Sequence, residues 1–553
     1  MSALVGDEQP GDGRTVTRRS LLWGAAAAGF GLALPGRVRA TLFHRELLSA
    51  VSIHNGAKPY AGDGPLLTTV SAGGANGRTE AVVRFVLGRP AMVQLAVLDE
   101  NANVTDHAGT TNPALTVETV EQSLPAGAHE LSWAPSVSQA PTTYALVLTV
   151  TDSGGRIARH RTVARVLGLD AAFTQRSYAP GEAGTLVVAS DVESFTAQVF
   201  RAGTESVPTY ANNVMNGVPA GDPGDVLWTG NADAPAPIPV SVGAWPSGLY
   251  FVQLTAGDLV GYAPFVVRPT TPTQKIAVVV PTNTWGAYNF YDRNGDGYGD
   301  SWYVGWKLFT VDLTRPNIHR GVPYRFRSYD LAFLHWLAQT GKNVDYYADD
   351  DLGSFPDGDA LRAAYDLVVF PGHSEYVTWH AYDVVERYRD LGGNLMFLSA
   401  NNFFRRVDPH GSTLHLIGLW RALGKPEAGL LGAQYIGSDR GQHQAPFVVT
   451  ADGAGPGSWA FANTGLGEGA SFGKYGIEVD ARTVSSPPGT IALAQIPDAL
   501  GKPSLTAEMT YYETSAGARV FSAGALNFGG QVLLWPETTQ LLENVWARLA
   551  PTA

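Results

Sequence analysis

Two continuous apolar runs constrain the fold of this chain more than any other feature. Lys275-Ile276-Ala277-Val278-Val279-Val280 and Tyr365-Asp366-Leu367-Val368-Val369-Phe370 do not alternate apolar with polar. A strand that is apolar on both faces needs cover on both, and a parallel sheet flanked by helices provides it. The neighbouring segments fit that reading. Residues 331–340 have helical spacing and are closed by Gly341, and Val344-Asp345-Tyr346-Tyr347 is a short strand. Residues 379–391 read as a helix stopped by Gly392-Gly393, and Asn394-Leu395-Met396-Phe397-Leu398 is a third buried strand. Strand and helix alternate as in a doubly wound, flavodoxin-like α/β domain, assigned to residues 275–553.

A different pattern precedes the linker Arg268-Pro269-Thr270-Thr271-Pro272-Thr273. Short apolar runs alternate with turns, as in Ala81-Val82-Val83-Arg84-Phe85-Val86-Leu87 followed by Gly88-Arg89-Pro90. Tyr178-Ala179-Pro180-Gly181-Glu182 and Trp245-Pro246-Ser247-Gly248 introduce further strands. This spacing predicts two immunoglobulin-like β-sandwiches, residues 41–169 and 170–268. Neither carries a suggestive cluster of His or carboxylates, so both read as scaffold or binding modules.

Residues 1–40 read as an export signal. Arg18-Arg19 precede a weakly apolar run that breaks at Pro35-Gly36, and Val38-Arg39-Ala40 offers small residues for cleavage. This is similar to a twin-arginine (Tat) signal, with a short membrane-anchoring helix as the alternative. The expected location is periplasmic, extracellular or on the cell surface. No other window reaches the length of a membrane span. A formal charge of -12 leaves little to replace phosphate counterions, which argues against a nucleic-acid partner.

In an α/β sheet, ligands bind beyond the carboxyl ends of the strands. Three such ends are polar here: Asn283-Thr284-Trp285-Gly286-Ala287-Tyr288-Asn289, His373-Ser374-Glu375-Tyr376, and Ser399-Ala400-Asn401-Asn402. In glutamine-amidotransferase-like domains of this layout, the second of these loops carries a cysteine nucleophile. The chain has no cysteine, so thiolate chemistry, disulfides and thiolate metal sites are all excluded. A turn or cap role is the bland alternative for each polar residue, and three polar ends in succession weigh against it.

Between the first two ends, Asp292, Asn294, Asp296 and Asp300 occupy positions 1, 3, 5 and 9 of a loop with Gly297 at 6. That is the pattern of an EF-hand-like calcium loop, although position 12 is Tyr303 rather than Glu. A plain Gly/Asp turn is the alternative.

Residues 275–550 resemble the C-terminal region of the large (beta) subunit of N,N-dimethylformamidase. The likeness rests on the strand-end stretches above, together with Ser301-Trp302-Tyr303, Asn401-Asn402-Phe403-Phe404-Arg405-Arg406-Val407, Gly476-Ile477-Glu478-Val479-Asp480 and Tyr511-Tyr512-Glu513-Thr514. The resemblance implies one iron held by two tyrosinates and a carboxylate, placed here on Tyr288, Tyr303 and Glu375. It implies His373, Asn401 and Glu513 as catalytic residues. Phenolate and carboxylate are hard oxygen donors, suited to Fe(III). Another metal in the same oxygen site, or core roles for the two tyrosines, are the alternatives.

The function expected is an exported hydrolase, iron-dependent, of a C–N bond in a small amide-like molecule, with a homo-oligomer one option for its assembly and a small partner subunit left open. The alternative is a secreted or cell-surface binding protein whose α/β domain has lost its chemistry.

Overall fold

Alternation of inward and outward side chains builds the N-terminal half, as seen in a computed structural model that describes residues 46–54, 66–72, 77–99, 113–206, 209, 213–304 and 308–550. In the strand Ala91–Asp99, Val93, Leu95 and Val97 are buried while Met92 faces solvent. A five-stranded sheet holds this strand, and a three-stranded sheet of Leu48–His54, Ala81–Leu87 and Gly127–Trp133 packs against it. Val83, Phe85, Leu95, Leu131, Trp133 and Leu146 fill the space between them. A second pair of sheets follows. Gly248–Ala256 and Leu259–Val267 form a hairpin in one, and Ala183–Ala189 is the middle strand of the other. Phe173, Tyr178, Leu186, Phe195, Tyr250 and Phe265 form their common core.

The apolar runs become the centre of a nine-stranded sheet. We label its parallel strands β1 (Ile276–Val280), β2 (Asp345–Ala348), β3 (Leu367–Phe370), β4 (Asn394–Phe397) and β7 (Arg519–Ser522). The spatial order is β2-β1-β3-β4-β7, every neighbouring pair parallel. Strand β6 (Ala507–Glu513) pairs antiparallel with β7 and begins an antiparallel extension of the sheet. The helices include α1 (Thr282–Ala287), α2 (Leu331–Gln339), α3 (Trp379–Asp390) and α4 (Pro536–Leu549). Successive residues of one strand serve opposite faces, as the two-residue period requires. Val278, Leu367, Val369 and Met396 meet α2 and α4 on one side. Val279, Val368, Phe370, Leu395 and Phe397 meet α3 on the other.

One short strand, β5 (Glu478–Ala481), lies off this sheet. It pairs with Gln434–Ser438, and Val479 bridges to Ala525, just past the carboxyl end of β7. β5 is thereby laid across the carboxyl ends of the parallel strands. The second N-terminal pair of sheets is tied to the same domain. Ser177 Oγ donates to Asp351 at 2.6 Å, and the Tyr346 N–H donates to Ser247 Oγ at 2.7 Å.

The whole is a mostly β, multidomain fold with many sheets and few helices. Among the described residues no helix is long and apolar enough to cross a membrane. The export signal read at residues 1–40 lies outside the described residues.

Candidate active site

Three loops leave the carboxyl ends of β1, β3 and β4, and backbone hydrogen bonds stitch them together. The Glu375 N–H, after β3, donates to Thr284 Oγ1 of α1 at 3.1 Å. The Ser374 N–H donates to Asn402 Oδ1 at 2.9 Å, and the Phe403 N–H returns to the Ser374 carbonyl at 2.8 Å. Asn401 and Phe403 both sit at left-handed φ, 54° and 56°. Asn tolerates that region better than most residues, and the surrounding bonds hold it there. The turn aims Asn401 at β5: its N–H donates to Asp480 at 2.9 Å and its Nδ2 to Glu478 at 2.7 Å.

These contacts gather a buried polar cluster. The Tyr288 hydroxyl, at the end of α1, donates to Glu375 Oε2 in a short bond. His373 Nε2 lies 3.5 Å from Glu375 Oε2 and 3.6 Å from Glu478 Oε2. Among the described residues neither ring nitrogen of His373 makes a hydrogen bond of good geometry, the Asn401 backbone being only a weak neighbour, and Asn401 Oδ1 has no partner. Tyr303, Tyr324 and Tyr376 stand edge-on around the Tyr288 ring at 5.2, 6.0 and 5.8 Å between centroids.

Burial dominates the electrostatics. It raises the carboxyls of Glu375 and Glu478 out of the usual range. It lowers His373 to about 3, against a smaller pull from the Asn401 backbone, so the imidazole is neutral. It raises the phenols of Tyr288, Tyr376 and Tyr303. A site of this kind holds protons it would readily exchange for a cation.

Of the residues singled out in the sequence, Tyr288, Tyr303, Glu375, His373 and Asn401 come together here. Glu513 does not, which corrects its placement in the catalytic set. It ends β6 and pairs with Arg519 at the start of β7, at the amino-terminal edge of the parallel strands and opposite the site. There it is half-exposed and bound by the Tyr511 hydroxyl and by Arg548 at 2.7 Å. The second glutamate at the site, beside Glu375, is Glu478, from a stretch that entered the resemblance without a role. The alternation Glu478-Val479-Asp480 was its available signal: two carboxylates on one face of a strand otherwise set against the core.

Asp292, Asn294, Asp296 and Asp300 form a closed loop. Asp292 accepts from the N–H groups of Gly295 and Gly297, both at 2.7 Å, and Asp296 accepts from Tyr298 at 2.9 Å. Asn294 accepts from Asp296 at 2.8 Å and Asp300 from Arg293 at 3.0 Å. Burial pushes Asp292 up to about 6, with Asp296 and Asp300 adding repulsion. The Gly297 carbonyl receives the N–H groups of Leu66 and Leu67, which docks the loop on the first pair of sheets.

The donor set fits a hard cation. Orphaned polar atoms on His373 and Asn401, beside two buried glutamate carboxyls, are what such a site offers a cation. Among the described residues no three His, Asp or Glu side chains form a metal cage by themselves. A set containing tyrosine is a different case.

The fold and site define a β-rich, multidomain protein with a tyrosine, glutamate and histidine centre at the carboxyl ends of a parallel sheet. Residues 203–538 match the family described as "N,N-dimethylformamidase beta subunit-like, C-terminal". The chain belongs to that family. It is 25% identical over 381 residues to the N,N-dimethylformamidase beta subunit of Paracoccus aminophilus, covering 52% of this chain and 50% of that one. It is 23% identical over 382 residues to the N,N-dimethylformamidase beta subunit of Alcaligenes sp, with 52% and 50% coverage. The chain thus spans about half the length of the curated relatives it matches. Salmonella alpha-2-macroglobulin aligns with 40% of this chain, covering 17% of its own, at 14% identity and a TM-score of 0.21.

Proposed function

We propose that this chain is an exported, iron-dependent hydrolase acting on the C–N bond of a small amide. The observation that carries the reading is the buried contact of Tyr288, Glu375, His373 and Glu478 in a family whose named relatives are dimethylformamidase subunits. Tyr288, Glu375 and a second tyrosine, Tyr303, would hold the metal. When bound, it would polarise the amide carbonyl and lower the pKa of water. His373 Nε2, 3.6 Å from Glu478, is placed to accept a proton from the attacking water and return it to the leaving nitrogen. Asn401 Nδ2 orients Glu478 beside it. Burial excludes bulk water, which would otherwise compete for the proton.

The finer architecture belongs to the same proposal. Tyr144 and Tyr250 each donate to a carbonyl four residues upstream, Ala140 and Pro246, at 2.8 Å. That feature supports immunoglobulin-like sandwiches over 41–169 and 170–268. The order of the parallel strands, 2-1-3-4-5 by sequence, supports a flavodoxin-like, glutamine-amidotransferase-like domain over 275–553. Export by the twin-arginine route, calcium in the 292–300 loop, and assembly with another subunit or a second copy complete it.

The test is metal analysis with spectroscopy on protein made under iron-replete conditions. One iron per chain and a visible tyrosinate charge-transfer band are expected, and Tyr288→Phe should bleach or shift that band. A colourless protein that holds iron would overturn tyrosinate ligation. Sub-stoichiometric iron without amide hydrolysis would leave a binding protein.

A further inference from the structure

Arg405 sits beside this centre with its donors unspent. It follows Phe404 and opens the short strand Arg405–His410, and its backbone N–H donates to the Glu375 carbonyl at 3.0 Å. Its Nε is 3.6 Å from Glu375 Oε1, beyond hydrogen-bond length, and its guanidinium lies 5.1 Å over the Phe404 ring. Among the described residues its side chain makes no hydrogen bond. Neighbouring arginines are committed. Arg421 is bound to Glu427 at 2.8 Å, and Arg406 to Asp408 at 3.1 Å. The Arg405 side chain is 22% exposed and the Glu375 side chain 4%, so Arg405 lies between the buried centre and solvent.

We infer that Arg405 is a specificity residue, and that the substrate is a small amide bearing a carboxylate, which the guanidinium takes. The inference rests on the hydrolase reading. A guanidinium held against a ring, with a planar fork free, is preorganised for two parallel bonds to a carboxylate. The contact with Phe404 and the ion pair with Glu375 restrict the side chain, so less of its entropy remains to be lost on binding. Arg405 Nε forms a loose ion pair with Glu375 Oε1 at 3.6 Å, and among the described residues the two terminal nitrogens of the guanidinium make no hydrogen bond. Glu478, the other carboxyl of the centre, is held by Asn401. A carboxylate on Arg405 would place an amide a few bonds away beside Glu375 and His373. This sets the chain apart from an enzyme for a neutral dialkylformamide.

The test pairs two measurements on the full chain loaded with ferric iron. Calorimetry compares N-acetylglycine with its neutral analogue N-methylacetamide. Steady-state kinetics compares N-formylglycine with N-methylformamide. The carboxylated member should bind more tightly and have the higher kcat/KM. Arg405→Met should lower the carboxylated-to-neutral ratio about 10- to 100-fold, chiefly through KM, the range of a charge-assisted bond. Arg405→Lys, which keeps charge and loses the fork, should fall between. Hydrolysis of both amides with no preference, or a ratio that Arg405→Met leaves unmoved, overturns the inference and leaves the hydrolase reading standing. Arg405-dependent binding of N-acetylglycine without hydrolysis of any amide supports the anion site and overturns the hydrolase reading. Neither binding nor hydrolysis overturns both.

Discussion

Replacing Asp480 by Asn should flatten part of the pH dependence of stability. Asp480 is 1% exposed and accepts the Asn401 N–H at 2.9 Å, which fixes the left-handed turn beside His373. Burial pushes its carboxyl from 3.8 up to about 7; the Asn401 bond and Arg421 oppose this, and Glu427 adds to it. The folded chain therefore holds the proton more tightly than the unfolded chain. Between those two values the folded state binds more protons, so stability falls as pH rises, and the loss is complete above about 7. At about 1.36 kcal/mol per pH unit the full gap is roughly 4 kcal/mol, and relaxation around a buried carboxylate reduces it to about 2. Asn keeps an acceptor for the Asn401 N–H and cannot ionise. Thermal and urea denaturation of metal-free protein at pH 5, 6, 7 and 8 would measure the difference. Because part of the gap is already lost below pH 5, wild type should lose about 1 kcal/mol more than Asp480→Asn across this range, a Tm gap of about 2–4 °C. Other buried acids, Asp349 among them, tilt both curves alike, so the difference between slopes is the readout. Parallel curves would refute the reasoning.

Three further outcomes are expected. Glu513→Gln should leave kcat/KM within about 2-fold, because Glu513 lies at the far edge of the sheet; a 100-fold loss would show that it reaches the centre. Gly372→Ala should cost about 1–3 kcal/mol in urea unfolding, since a Cβ there would meet Asp330 Oδ1 at 2.0 Å, and it should impair activity by shifting His373. Chelation should lower the Tm of wild type and not of Asp296→Ala, with calcium at 100 Kd adding about 2.7 kcal/mol to wild type; identical melting in all conditions would make the 292–300 loop a plain turn.

What the sequence determined by itself was local. Continuous apolar runs at 276–280 and 367–370 demanded cover on both faces, and two separate cores supply it through Val278 and Val279, then Leu367 and Val368. Strand ends rich in polar residues marked where Tyr288, His373, Glu375 and Asn401 would gather, because a strand's direction fixes which end its following loop leaves from. The order of the strands across the sheet, and the antiparallel extension past β7, depend on pairings between distant segments that no local pattern records. That is why Glu513 and Glu478 were exchanged. Both lie near acidic, aromatic stretches, yet one ends a strand running away from the site and the other lies on a strand laid across it. The unspent guanidinium of Arg405 was equally invisible, since a charge reveals its partners only once the chain has folded around it.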